Sequence, residues 1–166
     1  GDNFYYFVKN SIEENMNDKD SLIDIVGSTY MDTDLYLQDN ERPVIAKAIL
    51  AGAWLEGLYI AVSLKTDSEQ ENQIWKKVGE QKPALGNLVR LLEDCKDAQF
   101  DSLLIDLRSL VKTFEAVKLD YQPIEVVIDT ASMRTNLGGD LNVLIDKKTS
   151  NQIKSQIIAL RNSITK

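Results

Sequence analysis

Residues 44–64 read VIAKAILAGAWLEGLYIAVSL and carry only two charged side chains, Lys47 and Glu56. So apolar a stretch is typical of a membrane span or of a helix at the centre of a helical domain. A glutamate in mid-helix is costly in hydrocarbon, and the rest of the chain is too polar for a membrane protein. We therefore expect no membrane span and predict that Val44–Leu64 is a buried central helix.

The residues on either side of this stretch repeat apolar side chains at three- and four-residue steps, which predicts further amphipathic helices. The predicted ranges are 3–16, 18–37, 68–92 with a kink or short break at Pro83, 100–117 and 149–164. Short polar connections between successive helices favour antiparallel packing. The sequence therefore predicts a mainly α protein, an antiparallel bundle of five to six helices in one domain spanning residues 1–166.

The helical pattern is interrupted between residues 121 and 147. Apolar residues, many of them β-branched, cluster at 126–128 and 141–145, and Gly138-Gly139-Asp140 between them is a turn signal. We expect a small β-like excursion here, before the last helix.

Helix starts are marked by side chains that can accept hydrogen bonds from free backbone amides. Asn17 and Asp18 stand where the second predicted helix begins, Asp39 or Asn40 where the third begins, and Asp67 or Ser68 where the fourth begins. The run Thr149-Ser150-Asn151-Gln152 has the form of a capping box. It predicts that the last helix is capped at Thr149.

Composition excludes several classes of function. The chain has no histidine and one cysteine, Cys95, so imidazole bases, Ser-His-Asp systems and Cys/His metal sites are all excluded. The net charge of −7 opposes binding to nucleic acid. We expect no catalytic residues, no metal and no cofactor.

Glu56 is the side chain most suited to a functional role, because a carboxylate within an apolar helix loses hydration. We expect it to be buried in a polar network. The predicted partners are Gln81, Lys82, Arg161 or a tyrosine. Removing one member of such a buried pair would cost about 3 kcal/mol or more.

A pocket around Glu56 is the alternative interpretation. Trp54 and Tyr59 flank the glutamate in the sequence and could line such a pocket. The protein would then be an enzyme that uses Glu56 as acid or base, or a small-molecule sensor.

Ala53, Gly57 and Ala61 recur at four-residue spacing on the same predicted helix. Small side chains at this spacing lie on one face, where they allow a second helix to approach closely. The pattern therefore predicts a packing surface.

The stretch Gly52-x-Trp54-x-Glu56-Gly57-x-Tyr59 resembles a group of uncharacterised, all-helical lipoproteins of Bacteroidota. The resemblance implies a protein of the cell envelope or periplasm that is lipid-anchored in its full-length form. It also implies that this chain is the C-terminal part of a longer protein. It implies no activity.

These observations favour a non-catalytic cell-envelope protein that acts as an interaction or ligand-binding helical module. Its expected partner is an unidentified protein or the missing N-terminal region of the same protein. Homodimerisation is also expected, because an apolar face left uncovered tends to associate.

Overall fold

The computed structural model describes residues 2–65, 67–121, 125–129, 134–138 and 141–165, with backbone alone for 2–4, 125–129 and 134–138. Seven α-helices lie within these residues: α1 (Asp2–Glu14), α2 (Lys19–Asp39), α3 (Pro43–Ser63), α4 (Ser68–Gly79), α5 (Lys82–Glu93), α6 (Asp101–Phe114) and α7 (Lys147–Ile164). A short 3-10 turn, Ala98–Phe100, precedes α6. Four strands precede α7: β1 (Lys118–Tyr121), β2 (Glu125–Asp129), β3 (Arg134–Gly138) and β4 (Leu141–Leu144). The predicted fold class, mainly α with a small β excursion before the last helix, is confirmed.

The predicted break at Pro83 is present and separates α4 from α5. α4 ends at Gly79, and α5 begins at Lys82 with Pro83 in its first turn. Proline is tolerated there because its missing amide would have no acceptor within the helix. The chain therefore starts a new helix at Lys82, with the proline in a position where its missing amide costs no hydrogen bond.

Two of the four predicted caps, those at Asp18 and Asp67, are confirmed. The cap predicted for the third helix at Asp39 or Asn40 is wrong, because α2 runs through Asp39 and Asn40 is its C-cap. The side chain of Asp18 accepts hydrogen bonds from the amides of Asp20 and Ser21, and Asp67 caps α4 in the same way. The capping box at Thr149 is wrong: Asp146 caps α7, and its carboxylate accepts from the amide of Thr149 at 2.8 Å and from its hydroxyl at 2.9 Å. Thr149 is thus the donor to a cap that lies three residues earlier.

The strands form two antiparallel ladders. β1 pairs with β4, from Lys118 opposite Leu144 to Tyr121 opposite Leu141. β2 pairs with β3, from Glu125 opposite Gly138 to Asp129 opposite Arg134. The predicted strand segments 126–128 and 141–145 overlap β2 and β4. Gly138 of the predicted turn is the last residue of β3, and Gly139 and Asp140 lie outside the described residues.

The chain forms two compact units, residues 1–50 and 51–166. In the second unit, α6 packs against both α5 and α7. Their apolar faces form a core whose least exposed large side chains are Leu85, Leu92, Leu107, Leu110, Phe114, Ile153 and Ile157. Burial of this apolar area is the main force that holds the three helices together.

α4 approaches the β1–β4 ladder closely at Gly79. A Cβ built on this buried glycine would lie 2.3 Å from Val143 Cγ1 and 3.3 Å from Val117 Cγ1. The absence of a side chain at Gly79 therefore sets how closely α4 packs on β4.

The first unit contains α1, α2 and the beginning of α3. Among its described side chains only Leu37 and Ala46 are buried apolar residues. Its exposed large apolar residues are Tyr5, Tyr6, Phe7, Met16, Ile23, Val26, Met31, Leu35, Tyr36, Ile45 and Ile49. The helices of this unit thus present much of their apolar surface to solvent.

α3 corrects the predicted central helix. Only 17% of its most apolar 18-residue window is buried. One face is buried, at Ala51, Leu55, Leu58 and Val62, but Ile45, Ile49 and Ile60 are between 42% and 54% exposed. The prediction that other helices surround α3 on all sides is wrong. The amino-acid composition of a helix shows how apolar it is, but the number of elements packed against it depends on the tertiary structure.

Candidate interaction surface

Glu56, Tyr59 and Arg161 come together on one side of α3. Arg161, in the last turn of α7, donates a hydrogen bond from Nε to Glu56 Oε2 at 3.2 Å. The guanidinium carbon of Arg161 lies 4.7 Å from the centre of the Tyr59 ring, within the range of a cation–π interaction. Because residues three apart lie on neighbouring positions of a helix, one arginine can contact both.

This ion pair is open to water. The side chain of Glu56 is 45% exposed and that of Arg161 is 32% exposed. A pair with this exposure is screened by solvent and adds little to stability. The expectation of a buried carboxylate is therefore wrong, because Glu56 lies on a solvent-exposed face of α3.

The other predicted members of the network lie elsewhere. Lys82 donates from Nζ to the carbonyl oxygens of Glu115, at 3.2 Å, and Val117, at 2.6 Å. It therefore binds the backbone that leaves α6. Gln81 precedes α5, and its backbone N–H donates a hydrogen bond to the carbonyl oxygen of Val78 at 3.1 Å.

Trp54 is half-buried, and its indole Nε1 is buried with no acceptor among the described residues. It lies away from the ion pair, because residues 54 and 56 are about 160° apart around the helix, given 3.6 residues per turn. Of the predicted pocket residues, the structure thus brings together Glu56 and Tyr59 but not Trp54. Together with the hydrogen bond from Arg161, this separation argues against a pocket around the carboxylate.

The small residues of α3 form an uncovered surface. Gly52, Ala53 and Gly57 are exposed, and a Cβ built on Gly52 or Gly57 would meet no atom within 4 Å. Ile60 lies on the same four-residue row as Gly52, with Glu56 between them, and is 54% exposed. We call Gly52, Ala53, Gly57 and Ile60 the α3 face. Ala53 and Gly57 of the predicted packing surface are thus not covered by any described helix, whereas Ala61, its third member, is half-buried and lines an open cleft with residues of α4.

A separate cleft of about 540 Å³ lies where α4 meets the β1–β4 ladder. Trp75, Lys118 and Asp146 contribute to its wall. Asp146 is already bonded to Thr149 as the cap of α7. Sequence reasoning did not identify this cleft, because its residues come from three distant segments and share no motif.

The exposed apolar surface of residues 1–50 was also missed. A signal for it was present: Tyr5-Tyr6-Phe7 places three consecutive aromatic residues around a helix, and one buried face holds at most two of them. All three are more than half exposed. Aromatic residues on several faces of a short helix could therefore have indicated a surface that a single hydrophobic core does not cover.

α3 also has the length and composition of a membrane-spanning helix, with a mean hydropathy of 1.5 over its most apolar window.

Comparison of the chain with protein-family models, curated proteins and solved structures found no match.

Proposed function

We propose that this protein is a non-catalytic interaction module of the cell envelope, and that the α3 face binds a partner helix. The observation that carries the proposal is the exposure of Gly52, Gly57 and Ile60 on a helix whose opposite face is buried. Small side chains form a shallow depression into which the ridge of a second helix fits. The envelope location rests on the resemblance to helical lipoproteins.

The energetics of residues 1–50 support a role in association. A folded segment must offset the conformational entropy of its ordered residues by burying apolar area. The two buried apolar residues described in this unit supply little of that area. A partner that covers the exposed apolar side chains would supply the rest.

Contact of α3 with a lipid bilayer is less well supported than contact with a partner helix. Ala51, Leu55, Leu58 and Val62 are buried along one face, and Glu56 is bonded to Arg161 of α7. A membrane-spanning helix would need lipid or another apolar helix on these sides instead. The ion pair would also have to enter hydrocarbon, which is costly.

The alternative function, an enzyme or small-molecule sensor at Glu56, requires a carboxylate that is available to a ligand. The hydrogen bond from Arg161 occupies one oxygen of Glu56. A Glu56-dependent turnover in a screen of broad hydrolase substrates would favour this alternative over the interaction module.

Site-specific photocrosslinking tests the proposed function. A photoreactive amino acid at Ile60 on the α3 face is expected to crosslink one defined protein in the envelope fraction of cells that produce this chain. The matched control is the same amino acid at Ile105 on α6, which is 66% exposed. Equal crosslinking from both positions, or none from Ile60, would contradict the proposal.

A further inference from the structure

The outward side of α2 carries an apolar row at four-residue spacing. Ile23, Gly27, Met31 and Leu35 follow one another at that interval, and all four are exposed. The three large side chains are between 56% and 66% exposed. Residues four apart form one ridge along a helix, so the row extends for about 18 Å.

Gly27 forms a gap in this row. A Cβ built on it would meet no atom within 4 Å. Ile23 and Gly27 also line an open cleft of about 550 Å³ at the junction of α1 and α2. The row therefore begins in a depression, which is the shape that a side chain of a partner helix can fill.

An acidic row runs beside the apolar row. Asp20, Asp24, Ser28 and Asp32 follow at the same four-residue interval and are exposed. Within the described residues, the carboxylates of Asp20, Asp24 and Asp32 have no cation within salt-bridge distance. Residues 1–50 contain ten Asp and Glu against four Lys and Arg. The apolar row is thus bordered by acidic side chains along its length, and Lys19 is the one cation at its N-terminal end among the described residues.

This charge pattern favours some binding partners of the apolar row over others. A second copy would place one acidic row near another, and like charges at short range oppose association. Anionic lipid is opposed for the same reason, and helices that lie on membranes carry Lys and Arg beside their apolar face. A helix with a basic row beside an apolar stripe satisfies both the apolar and the charge pattern.

We propose that this side of α2, the α2 face, binds an amphipathic helix that carries Lys or Arg beside its apolar stripe. The inference rests on the proposed interaction function and specifies the chemistry of the partner. Apolar contact with Ile23, Met31 and Leu35 supplies affinity, and the acidic row fixes the orientation of the bound helix.

The test uses two synthetic 18-residue peptides with the same apolar stripe of leucine, one with lysine and one with glutamate at the polar positions. Fluorescence anisotropy with the whole chain measures binding of each labelled peptide. We expect saturable binding of the Leu-Lys peptide and affinity at least about tenfold lower for the Leu-Glu peptide. Equal affinities would overturn the proposed charge selection.

Variants separate the α2 face from the general negative charge of the protein. The double substitution Asp24→Asn with Asp32→Asn is expected to weaken Leu-Lys binding by about tenfold or more. The matched control, Glu71→Gln with Asp106→Asn, removes the same charge from exposed positions on α4 and α6. Equal loss in both double variants would mean nonspecific attraction and would overturn the proposal.

Gly27→Leu tests the apolar gap. It fills the depression while favouring the helical conformation of α2, so it is expected to block the peptide and preserve the fold. Gly86→Leu on α5 is the control, since Gly86 also has open space at its Cβ. Circular dichroism confirms that both variants are folded, and unchanged binding by a folded Gly27→Leu variant would overturn the proposal.

Two further measurements address the competing occupants. Light scattering that showed a dimer reduced by Gly27→Leu would assign the α2 face to a second copy. Co-sedimentation with phosphatidylcholine vesicles that was lost in the same variant would assign it to lipid. Either result overturns the inference and leaves the crosslinking test of the α3 face at Ile60 independent of it.

Discussion

Residues 1–50 and residues 51–166 use the same kinds of side chain in different ways. Of the twenty buried apolar residues among the described side chains, eighteen lie in the second unit and two in the first. Of the seventeen exposed large apolar residues, eleven lie in the first unit. Both units consist largely of α-helices, so helix formation alone does not account for the contrast. The difference shows that helical periodicity predicts a face, while the number of neighbouring elements decides whether that face is covered.

The contrast predicts opposite responses to the same substitution. Leu107→Ala in the second unit removes a side chain that is 1% exposed, so we expect the free energy of unfolding to fall by about 2 to 5 kcal/mol. Leu35→Ala in the first unit removes one that is 56% exposed, and we expect a change within about 0.5 kcal/mol. Chemical denaturation of both variants measures the difference. Similar losses would show that residues 1–50 contain a core of their own.

Gly79→Ala examines packing in the second unit without removing apolar area. The added methyl group would lie 2.3 Å from Val143 Cγ1, so α4 must shift or Val143 must change rotamer. We expect a loss of about 1 to 3 kcal/mol, the usual effect of overpacking. Gly27→Ala on α2, where the Cβ has open space, is the control and is expected to be neutral or stabilising. If the two alanine variants unfold at the same denaturant concentration, α4 does not pack tightly on β4.

Glu56→Ala is expected to have a smaller effect, within about 1 kcal/mol, because the pair with Arg161 is open to solvent. Glu56→Gln should behave similarly, since the charge interaction is screened. Urea denaturation at low and high salt gives the comparison with the wild-type chain. A loss near the 3 kcal/mol expected for a buried pair would show that Glu56 is covered in solution, for instance in an oligomer.

Acid should loosen helix starts in both units. Hydrogen bonds from the Ser21 amide and hydroxyl lower the pKa of Asp18, and those from the Thr149 amide and hydroxyl lower the pKa of Asp146. A lowered pKa in the folded state means that the stabilisation is complete above the ordinary value of 3.8 and is lost as pH falls through the folded value.

We therefore expect the unfolding midpoint to fall below about pH 4, with a small effect from each cap. The variants Asp18→Asn and Asp146→Asn retain a capping side chain without the titration, and each should reduce this pH dependence. Thermal denaturation followed by circular dichroism between pH 3 and 6 measures it. The same pH dependence in wild type and both variants would exclude the caps as its source.

Much of the fold was predictable from local pattern. Asp18 and Asp67 were among the predicted caps, beside Asn17 and Ser68, because a cap needs only amides within three residues of it. Thr149 was wrongly chosen because Asp146 offers a similar oxygen to the same turn, and the local sequence does not decide which one faces the amides. The break before Pro83 followed from the missing amide of proline alone.

The candidate site was predictable only as a set of residues. Glu56, Tyr59 and Arg161 were all candidates from the sequence. In the structure they lie together, joined by the Arg161 hydrogen bond and the cation–π contact. The sequence alone did not show whether Lys82 or Arg161 pairs with Glu56, because both are cations in helices that could pack near α3. The position of Lys82 at the carbonyls of Glu115 and Val117 depends on how α5 meets the end of α6.

The sequence by itself determined which segments are helical, where most of them begin, and that a small β excursion precedes the last helix. These features depend on interactions within a few residues, where spacing and side-chain type are sufficient. Only the tertiary structure decided that α3 has an exposed face, that Glu56 is open to water and that residues 1–50 bury so little. Burial is a property of neighbours that are distant in the sequence, and an apolar face has the same sequence pattern whether another helix covers it or solvent does.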